Sequence, residues 1–365
     1  AMRIGIHADP AAHSVPGGVG VYVRRLTDEL LAAGGHDLRL IVSRFAHPPA
    51  AWAQTPMIRP QLPFAPLYAA WNFFGFPGLG EELDVVHATG LAIPPPGGAR
   101  LVSTVHDLAV EQMPEVVPAV WRHIYLRGLK RALAQSKVIC AVSEATRQAL
   151  IDAHDVDPER IVVTPEAPNV TPAGPANDEV FGRLGLEGPY ILNVGTVEPR
   201  KNQVRLVKAF AAAGDDLAGH TLVLAGVPGW GQEEVEAAVE ELRAGHRVIL
   251  TGKISNLDLA SLYSRAHVFA LPSLYEGFGI PLVEAMAFGV PSLAGTTPAL
   301  AELAGNAARL VDPKDVDGLA GELVRLATDD PLRERLAAAG RERAAGYTWA
   351  RTARLTIDAY QRAAG

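Results

Sequence analysis

The sequence predicts an α/β protein made of two Rossmann-like domains that face each other across a cleft. Three observations carry that prediction. Short apolar runs alternate with amphipathic stretches from the first residues onward, a proline-rich interruption breaks the alternation near the middle, and the alternation then restarts. With 365 residues, 48% of them hydrophobic, the chain is also long enough to bury two cores of ordinary size. A strand followed by a helix, repeated, builds a parallel sheet, because the helix carries the chain back to the edge from which the next strand starts.

In the first half, Met2 to His7 reads as a strand, Gly20 to Ala33 as a helix and Leu38 to Ser43 as a second strand. Further strands are expected at Asp84 to His87, Leu101 to Val105, Lys137 to Val142 and Arg160 to Thr164, with helices at Pro118 to Gln135 and Ser143 to Ala153. Between Pro165 and Pro175 proline recurs, which biases its neighbours away from helix and removes ladder donors, so an interdomain linker is expected there. The rhythm resumes with strands at Tyr190 to Val194, Thr221 to Ala225, Arg247 to Thr251, His267 to Leu271, Pro291 to Ala294 and Ala307 to Val311, each followed by a helix. The resulting division is an N-terminal domain 1–168, a linker 169–186, a C-terminal domain 187–347 and a closing helix within 348–365.

Composition narrows the function classes. A net charge of −7 offers no basic footprint for nucleic acid, so a nucleic-acid partner is not expected. The single cysteine, Cys140, lies in the apolar run Val138 to Val142 and reads as a small buried hydrophobe, which excludes a disulfide within the chain or a cysteine cluster. No charge-free apolar run reaches the length of a membrane-spanning helix, and Ala1 ahead of Met2 reads as a residue added in expression. The expectation is a cytoplasmic protein, with peripheral attachment at the inner membrane face as the alternative.

The stretch from Tyr275 to Pro291 is the most informative in the chain. Glu276 and Glu284 bracket the glycines Gly277 and Gly279 around Phe278, Pro281 suits the first helical position, and Gly289 with Pro291 stops the helix, which places Glu284 near its first turn. N–H groups at a helix start attract an anion, glycine admits a close main-chain approach, and carboxylates accept hydrogen bonds from hydroxyls. A diphosphate flanked by ribose and hexose meets all three. A second stretch, Gly195 to Asn202, puts Arg200 and Lys201 ahead of a helix, where two cations can neutralise a departing diphosphate. His106 ends a buried strand and is followed by Asp107, suited to capping the next turn or orienting the imidazole; a strand-end histidine bonded to a backbone carbonyl is the competing reading. After the first strand, residues 13–22 place Gly17, Gly18 and Gly20 before a helix, which suits phosphate contact but fails both the dinucleotide and the P-loop patterns.

These strings resemble the signatures of retaining glycosyltransferases of family 4, whose E-x7-E motif corresponds here to Glu276 through Glu284. Gly17 and Gly18, His106, Ser143 and Glu144, and Arg200 and Lys201 occur in family order. The resemblance implies the GT-B architecture and transfer of a hexose from GDP-mannose or a UDP-hexose to a hydroxyl acceptor. The acceptor would belong to a polysaccharide, a glycolipid or a metabolite. It implies catalytic roles for His106, Glu276, Arg200 and Lys201. Donor contacts would come from Gly17, Gly18, Gly277, Phe278, Gly279 and Glu284, and from Gly252 and Ile254 in a loop whose backbone reads the base. His106 and Glu276 would position the sugar and Glu284 would bind ribose. Some members carry an arginine where this chain has Thr196, so the partition of phosphates between Arg200 and Lys201 stays open. The resemblance also implies a final helix, Trp349 to Ala364, that packs back on the first domain.

No metal or other cofactor is expected. Asp155 with Asp157, and Asp315 with Asp317, have an Asp-x-Asp spacing but sit in turn-like text beside Pro158 and Gly318, where turn and cap roles fit better. The uncharged aromatic stretch Leu62 to Leu79 reads as helix and loop packing, as an acceptor pocket, or as a membrane contact for a lipid-linked acceptor. The helix around Trp121 to Arg131 adds Arg122, Arg127, Lys130 and Arg131 without an acidic residue. Sugar-nucleotide epimerisation and a catalytically silent sugar-binding scaffold are the alternative functions.

Overall fold

The computed structural model of the protein describes residues 1–12, 17–242 and 247–365. The chain forms two compact units, Ala1–Glu166 with Thr348–Gly365, and Ala167–Tyr347. In the first, strands β1 (Arg3–His7), β2 (Asp37–Ile41), β3 (Met57–Ile58), β4 (Val85–Ala88), β5 (Arg100–Val105), β6 (Val138–Ala141) and β7 (Ile161–Val163) form a parallel sheet in the order β3-β2-β1-β4-β5-β6-β7. Its helices are α1 (Gly18–Ala33), α2 (Phe64–Phe74), α3 (Ala109–Gln112), α4 (Ala119–Gln135) and α5 (Glu144–His154). Strands β4 and β6 are buried at every position, as expected of strands covered on both faces.

The second unit repeats the plan with β8 (Tyr190–Val194), β9 (Thr221–Ala225), β10 (Arg247–Leu250), β11 (Val268–Leu271), β12 (Ser292–Gly295) and β13 (Arg309–Val311), in the parallel order β10-β9-β8-β11-β12-β13. Helices α6 (Glu179–Leu184), α7 (Gln203–Ala212), α8 (Gln232–Glu240), α9 (Asn256–Arg265), α10 (Ile280–Phe288), α11 (Pro298–Ala304), α12 (Val316–Thr328) and α13 (Asp330–Ala344) complete it. Its core joins Ile191, Leu206, Phe210, Leu222, Leu293 and Leu323 across the sheet and the helices on one face. Both sheets reverse their strand order, between β1 and β4 and between β8 and β11. Connections leave a reversal towards opposite faces, which opens a crevice beyond the strands' carboxyl ends.

Most expected elements occur within one or two residues of their reading, and three differences have physical causes. The edge strand β3 is too short to show a period. Residues 169–186, read as a linker, lie within the second unit, carry α6 and place the Asn169 and Val170 N–H groups on the Glu284 carboxylate. Pro281 is the second residue of α10, and Glu284 falls in its second turn, because Gly279 takes the N-cap with φ of 106°. A side chain at Gly279 would be strained at that φ and would meet Leu300 at 2.6 Å.

Cys140 is fully buried, and burial pushes its thiol up to about 12, in keeping with an inert core position. The closing helix α14 (Trp349–Ala364) packs in the first unit against α1 and β4 to β7. There Thr352 donates to the Pro165 carbonyl at 2.5 Å, and the Tyr360 hydroxyl meets His87 Nδ1 at 2.7 Å. His87 Nε2 meets Thr104 Oγ1 at 2.8 Å, and Thr104 in turn meets the Tyr22 hydroxyl at 2.9 Å. Burial first, then the nearby His106 and His7, push His87 down to about 3 from its ordinary 6.5. The folded chain therefore holds His87 neutral, and its contribution to stability falls as pH drops below 6.5 towards 3.

Tyr360→Phe leaves the buried His87 Nδ1 without its partner, a cost of about 1–3 kcal/mol. A lower urea midpoint at pH 7 with an unchanged denaturant slope is the expected result, and an unchanged midpoint would refute this role for the hydroxyl.

Candidate active site

The reversal in the second sheet gathers two loops, one after β8 and one after β11. Asn202, held at φ of 62°, donates from its side-chain amide to the carbonyls of Pro272 at 2.9 Å and Pro313 at 2.6 Å. The Leu274 N–H donates to the Arg200 carbonyl at 2.8 Å. The backbone thus fixes Arg200 and Lys201 against the segment that carries Glu276.

The side chains then close a charge cluster. Lys201 Nζ donates to Glu276 Oε1 at 2.6 Å and Arg200 Nη1 to Glu276 Oε2 at 3.0 Å, while Ser273 Oγ donates to Oε1 at 2.7 Å. Arg200 also donates to the Tyr275 carbonyl at 3.1 Å and to Glu198 at 2.7 Å. Burial alone would raise the Glu276 carboxyl. The Lys201 ammonium and Arg200 guanidinium, with hydrogen bonds from Lys201 and Ser273, outweigh that and hold it at about 2. Glu276 is therefore an ionised acceptor throughout the neutral range. The sequence reading assigned Glu276 to a sugar and the cations to phosphate, and the structure joins the three directly. Ser273 and Glu198 were missed, although Glu198 lies inside the Gly195 to Asn202 stretch and Ser273 only three residues before Glu276.

Other expected residues stand apart from this cluster. Glu284 is 3% exposed. Its Oε1 accepts from the Asn169 and Val170 N–H groups at 3.0 and 3.1 Å and its Oε2 from the Tyr263 hydroxyl at 2.9 Å, so the chain itself supplies partners to both oxygens. Phe278 is buried with its ring edge-on to Tyr347 at 5.5 Å. Gly252 follows β10 at φ of 65° and bridges to Gly226, and Ile254 beyond it is half-buried.

In the first unit His106 Nε2 lies 2.9 Å from the Thr89 carbonyl, its Nδ1 lies 3.0 Å from Glu166, and its ring stands edge-on to Tyr22. A carbonyl only accepts, so Nε2 carries a proton, and the carboxylate favours a second proton on Nδ1. Burial pushes the imidazole down, but the hydrogen bond and charge of Glu166, with smaller contributions from Thr89 and Asp107, raise it above its ordinary value. The carbonyl partner is the one the competing reading named. Glu166 was missed because it sits in the proline-rich text taken for a linker. Asp107 caps the following turn, accepting from the Ala109 N–H at 2.8 Å.

Gly17 is the N-cap residue of α1 and Gly18 its first residue; both are exposed, and a side-chain carbon at either would meet no atom of the described residues within 4 Å. The preceding part of that expected phosphate loop, His13 to Pro16, lies outside the described residues. Ser143 caps α5 by accepting from the Thr146 N–H at 3.0 Å, and Glu144 pairs with Arg147. Asp157 and Asp315 cap the turns after them by accepting from the Glu159 and Gly318 N–H groups, and Asp155 ends α5 at φ of 50°.

Comparison with known proteins adds to this geometry. Residues 177–343 match the family model for glycosyl transferases group 1, and residues 16–169 match that for glycosyltransferase family 4. The O-antigen chain mannosyltransferase B of Escherichia coli is 32% identical over 268 residues, covering 72% of this chain and 70% of that protein. The MMP alpha-(1->4)-mannosyltransferase of Mycolicibacterium hassiacum is 30% identical over an alignment 403 positions long that covers 95% of each chain. Among solved structures, Anabaena HepE in complex with UDP and glucose superposes with a TM-score of 0.74 at 20% identity, over 98% of this chain and 99% of that one. The fold it shares is GT-B.

The His106–Glu166 pair has a signed pH dependence. A raised folded value contributes stability that is complete below the ordinary 6.5 and is lost as pH rises through the folded value. By NMR of the imidazole nitrogens, His106 is expected to stay protonated at pH values above 6.5, and Glu166→Gln to bring its titration down. Titration at or below 6.5 in the unaltered protein would refute the pairing.

Proposed function

The chain belongs to glycosyltransferase family 4, and from that premise we propose that it moves a hexose from a nucleotide-diphosphate sugar to a hydroxyl acceptor with the anomeric configuration kept. The observation that carries the proposal is the buried cluster of Arg200, Lys201 and Glu276 at the strand-order reversal. Two of the relatives named above transfer mannose by name, and HepE holds UDP and glucose, which supports GDP-mannose and UDP-glucose as the donors to try first.

In this reading the bond from the anomeric carbon to the phosphate oxygen breaks as the acceptor oxygen bonds on the same face. The acceptor proton passes to the departing phosphate. Negative charge grows on that phosphate, and Arg200 and Lys201, whose backbone the loop already fixes, stabilise it. Glu276, ionised and engaged by two cations, serves as a hydrogen-bond acceptor towards the sugar hydroxyls. Gly17 and Gly18 suit a close approach of phosphate to the start of α1, because no packing among the described residues demands glycine there. His106, whose charged form Glu166 favours, positions the donor sugar, and Glu284 acts through the Asn169–Val170 segment that it holds. The transfer proceeds without a metal, a reading supported by the capping roles of the candidate aspartates.

The test is incubation with GDP-mannose or UDP-glucose and a panel of hydroxyl acceptors, read by mass spectrometry, alongside thermal shift with GDP and UDP, since a ligand of the folded state raises its melting temperature. No turnover and no shift with either nucleotide would overturn the proposal. Lys201→Ala is expected to lower kcat by roughly 10²- to 10³-fold, the scale of losing one fixed transition-state donor. EDTA is expected to leave the rate unchanged; loss of rate with recovery on adding Mg²⁺ or Mn²⁺ would refute metal independence.

A further inference from the structure

The aromatic stretch Leu62 to Leu79 divides into two faces. Leu67, Tyr68, Trp71 and Asn72 are buried, whereas Phe73, Phe74 and Phe76 are 41%, 80% and 67% exposed. The buried face is fixed firmly. Asn72 donates to the carbonyls of Leu91 at 2.8 Å and Ile124 at 2.9 Å and accepts from the Ile93 N–H at 3.0 Å. Gly128 of α4 lets that contact form, because a side-chain carbon there would overlap the Leu91 carbonyl. The exposed phenylalanines therefore sit on a rigid base.

Cations of α4 border them. Arg127 lies over the Phe73 ring at 6.0 Å, and the Arg131 guanidinium lies against Gly75, within 3.3 Å of where a side-chain carbon would be. Arg127 and Lys130 are exposed, and α4 contains no acidic residue from Ala119 to Gln135. Phenylalanines exposed to this degree lose apolar hydration only if something covers them, and a contiguous apolar patch rimmed by one sign of charge marks an interaction surface.

We propose that this surface of α2 and α4 docks on an anionic lipid bilayer, with Phe74 and Phe76 entering the interface and Arg127 and Lys130 meeting the headgroups. The cations argue for lipid over a second copy of the chain, since two such faces would bring like charges together. No helix among the described residues is long and apolar enough to cross a membrane, and the proposed contact is peripheral. It rests on α2 and α4 alone and stands whether or not sugar transfer is observed.

The experiment is vesicle flotation of the full chain with phosphatidylcholine alone and with phosphatidylglycerol added, at low and high salt. Binding is expected only with phosphatidylglycerol, weakening as salt rises. Arg127→Glu with Lys130→Glu should lower partitioning at least about thirtyfold, on the scale of two headgroup contacts. Phe74→Ser with Phe76→Ser should lower it at unchanged charge. Both pairs are exposed, so unchanged thermal melting serves as the control for folding. Absence of binding in the unaltered protein, equal binding of all variants, or a dimer that the Phe74→Ser variant dissociates would each overturn the proposal.

Discussion

The candidate site depends on one buried carboxylate. Glu276 receives Lys201, Arg200 and Ser273, and Arg200 is shared with Glu198, so two positive and two negative groups balance within one pair of loops. Withdrawing charges from water costs several kcal/mol for each ion, and only close pairing with satisfied hydrogen bonds repays it. The backbone prepares the pairing, because Asn202 and the Leu274 N–H fix the loops independently of the charges. Adding a diphosphate to a balanced cluster makes it compete with Glu276 for the cations. In the proposed reaction that competition loosens the carboxylate just where a sugar hydroxyl needs an acceptor, which couples donor binding to the poise of the site.

The first unit shows the same economy with histidine. His87 lies between two hydroxyls, each able to donate or accept, so a neutral ring is fully satisfied and burial keeps it neutral. His106 lies between a carbonyl and a carboxylate, both acceptors, so the charged ring is the satisfied form. The partners chosen by the fold, rather than the residue type, decide the charge. His87 thereby becomes part of the seam that holds α14, and His106 a ring biased towards its charged form just beyond the end of β5.

The alternation of apolar runs and helices was enough to place both sheets, since burial on two faces leaves an unbroken apolar string and the return helix leaves a period. The loops bearing Arg200, Lys201 and Glu276 were legible through their resemblance to family signatures, because glycine, proline and charge after a strand would alone read as solvated turns. Partner choice was not legible. Lys201 and Glu276 are 75 residues apart, and no local pattern joins them. Glu166 was hidden by prolines that read as linker, and the Tyr347 ring that meets Phe278 is distant in sequence. Periodicity reports how much of a residue is covered, not what covers it. The stretch Leu62 to Leu79 is the clearest case: its composition was evident, but only the packing of Asn72 on Gly128 separates the face that is core from the face that is not.

Helix α10 connects these points. Gly279 and Gly289, both at positive φ, confine it to Ile280–Phe288, and Glu284 projects from its second turn to the Asn169 and Val170 N–H groups. A proline-rich segment cannot satisfy its remaining donors in a ladder, and buried N–H groups need acceptors. Glu284 supplies them, so the entering chain of the second unit is fastened to the helix that begins just beyond Glu276. The two glutamates thus anchor the start of α10 from either side, Glu276 just before it against the strand-end cations and Glu284 in its second turn against the incoming backbone. In the proposed reaction a ligand that shifts the start of α10 must work against both attachments, and this resistance holds the Arg200–Lys201 loop in place while charge develops on the departing phosphate.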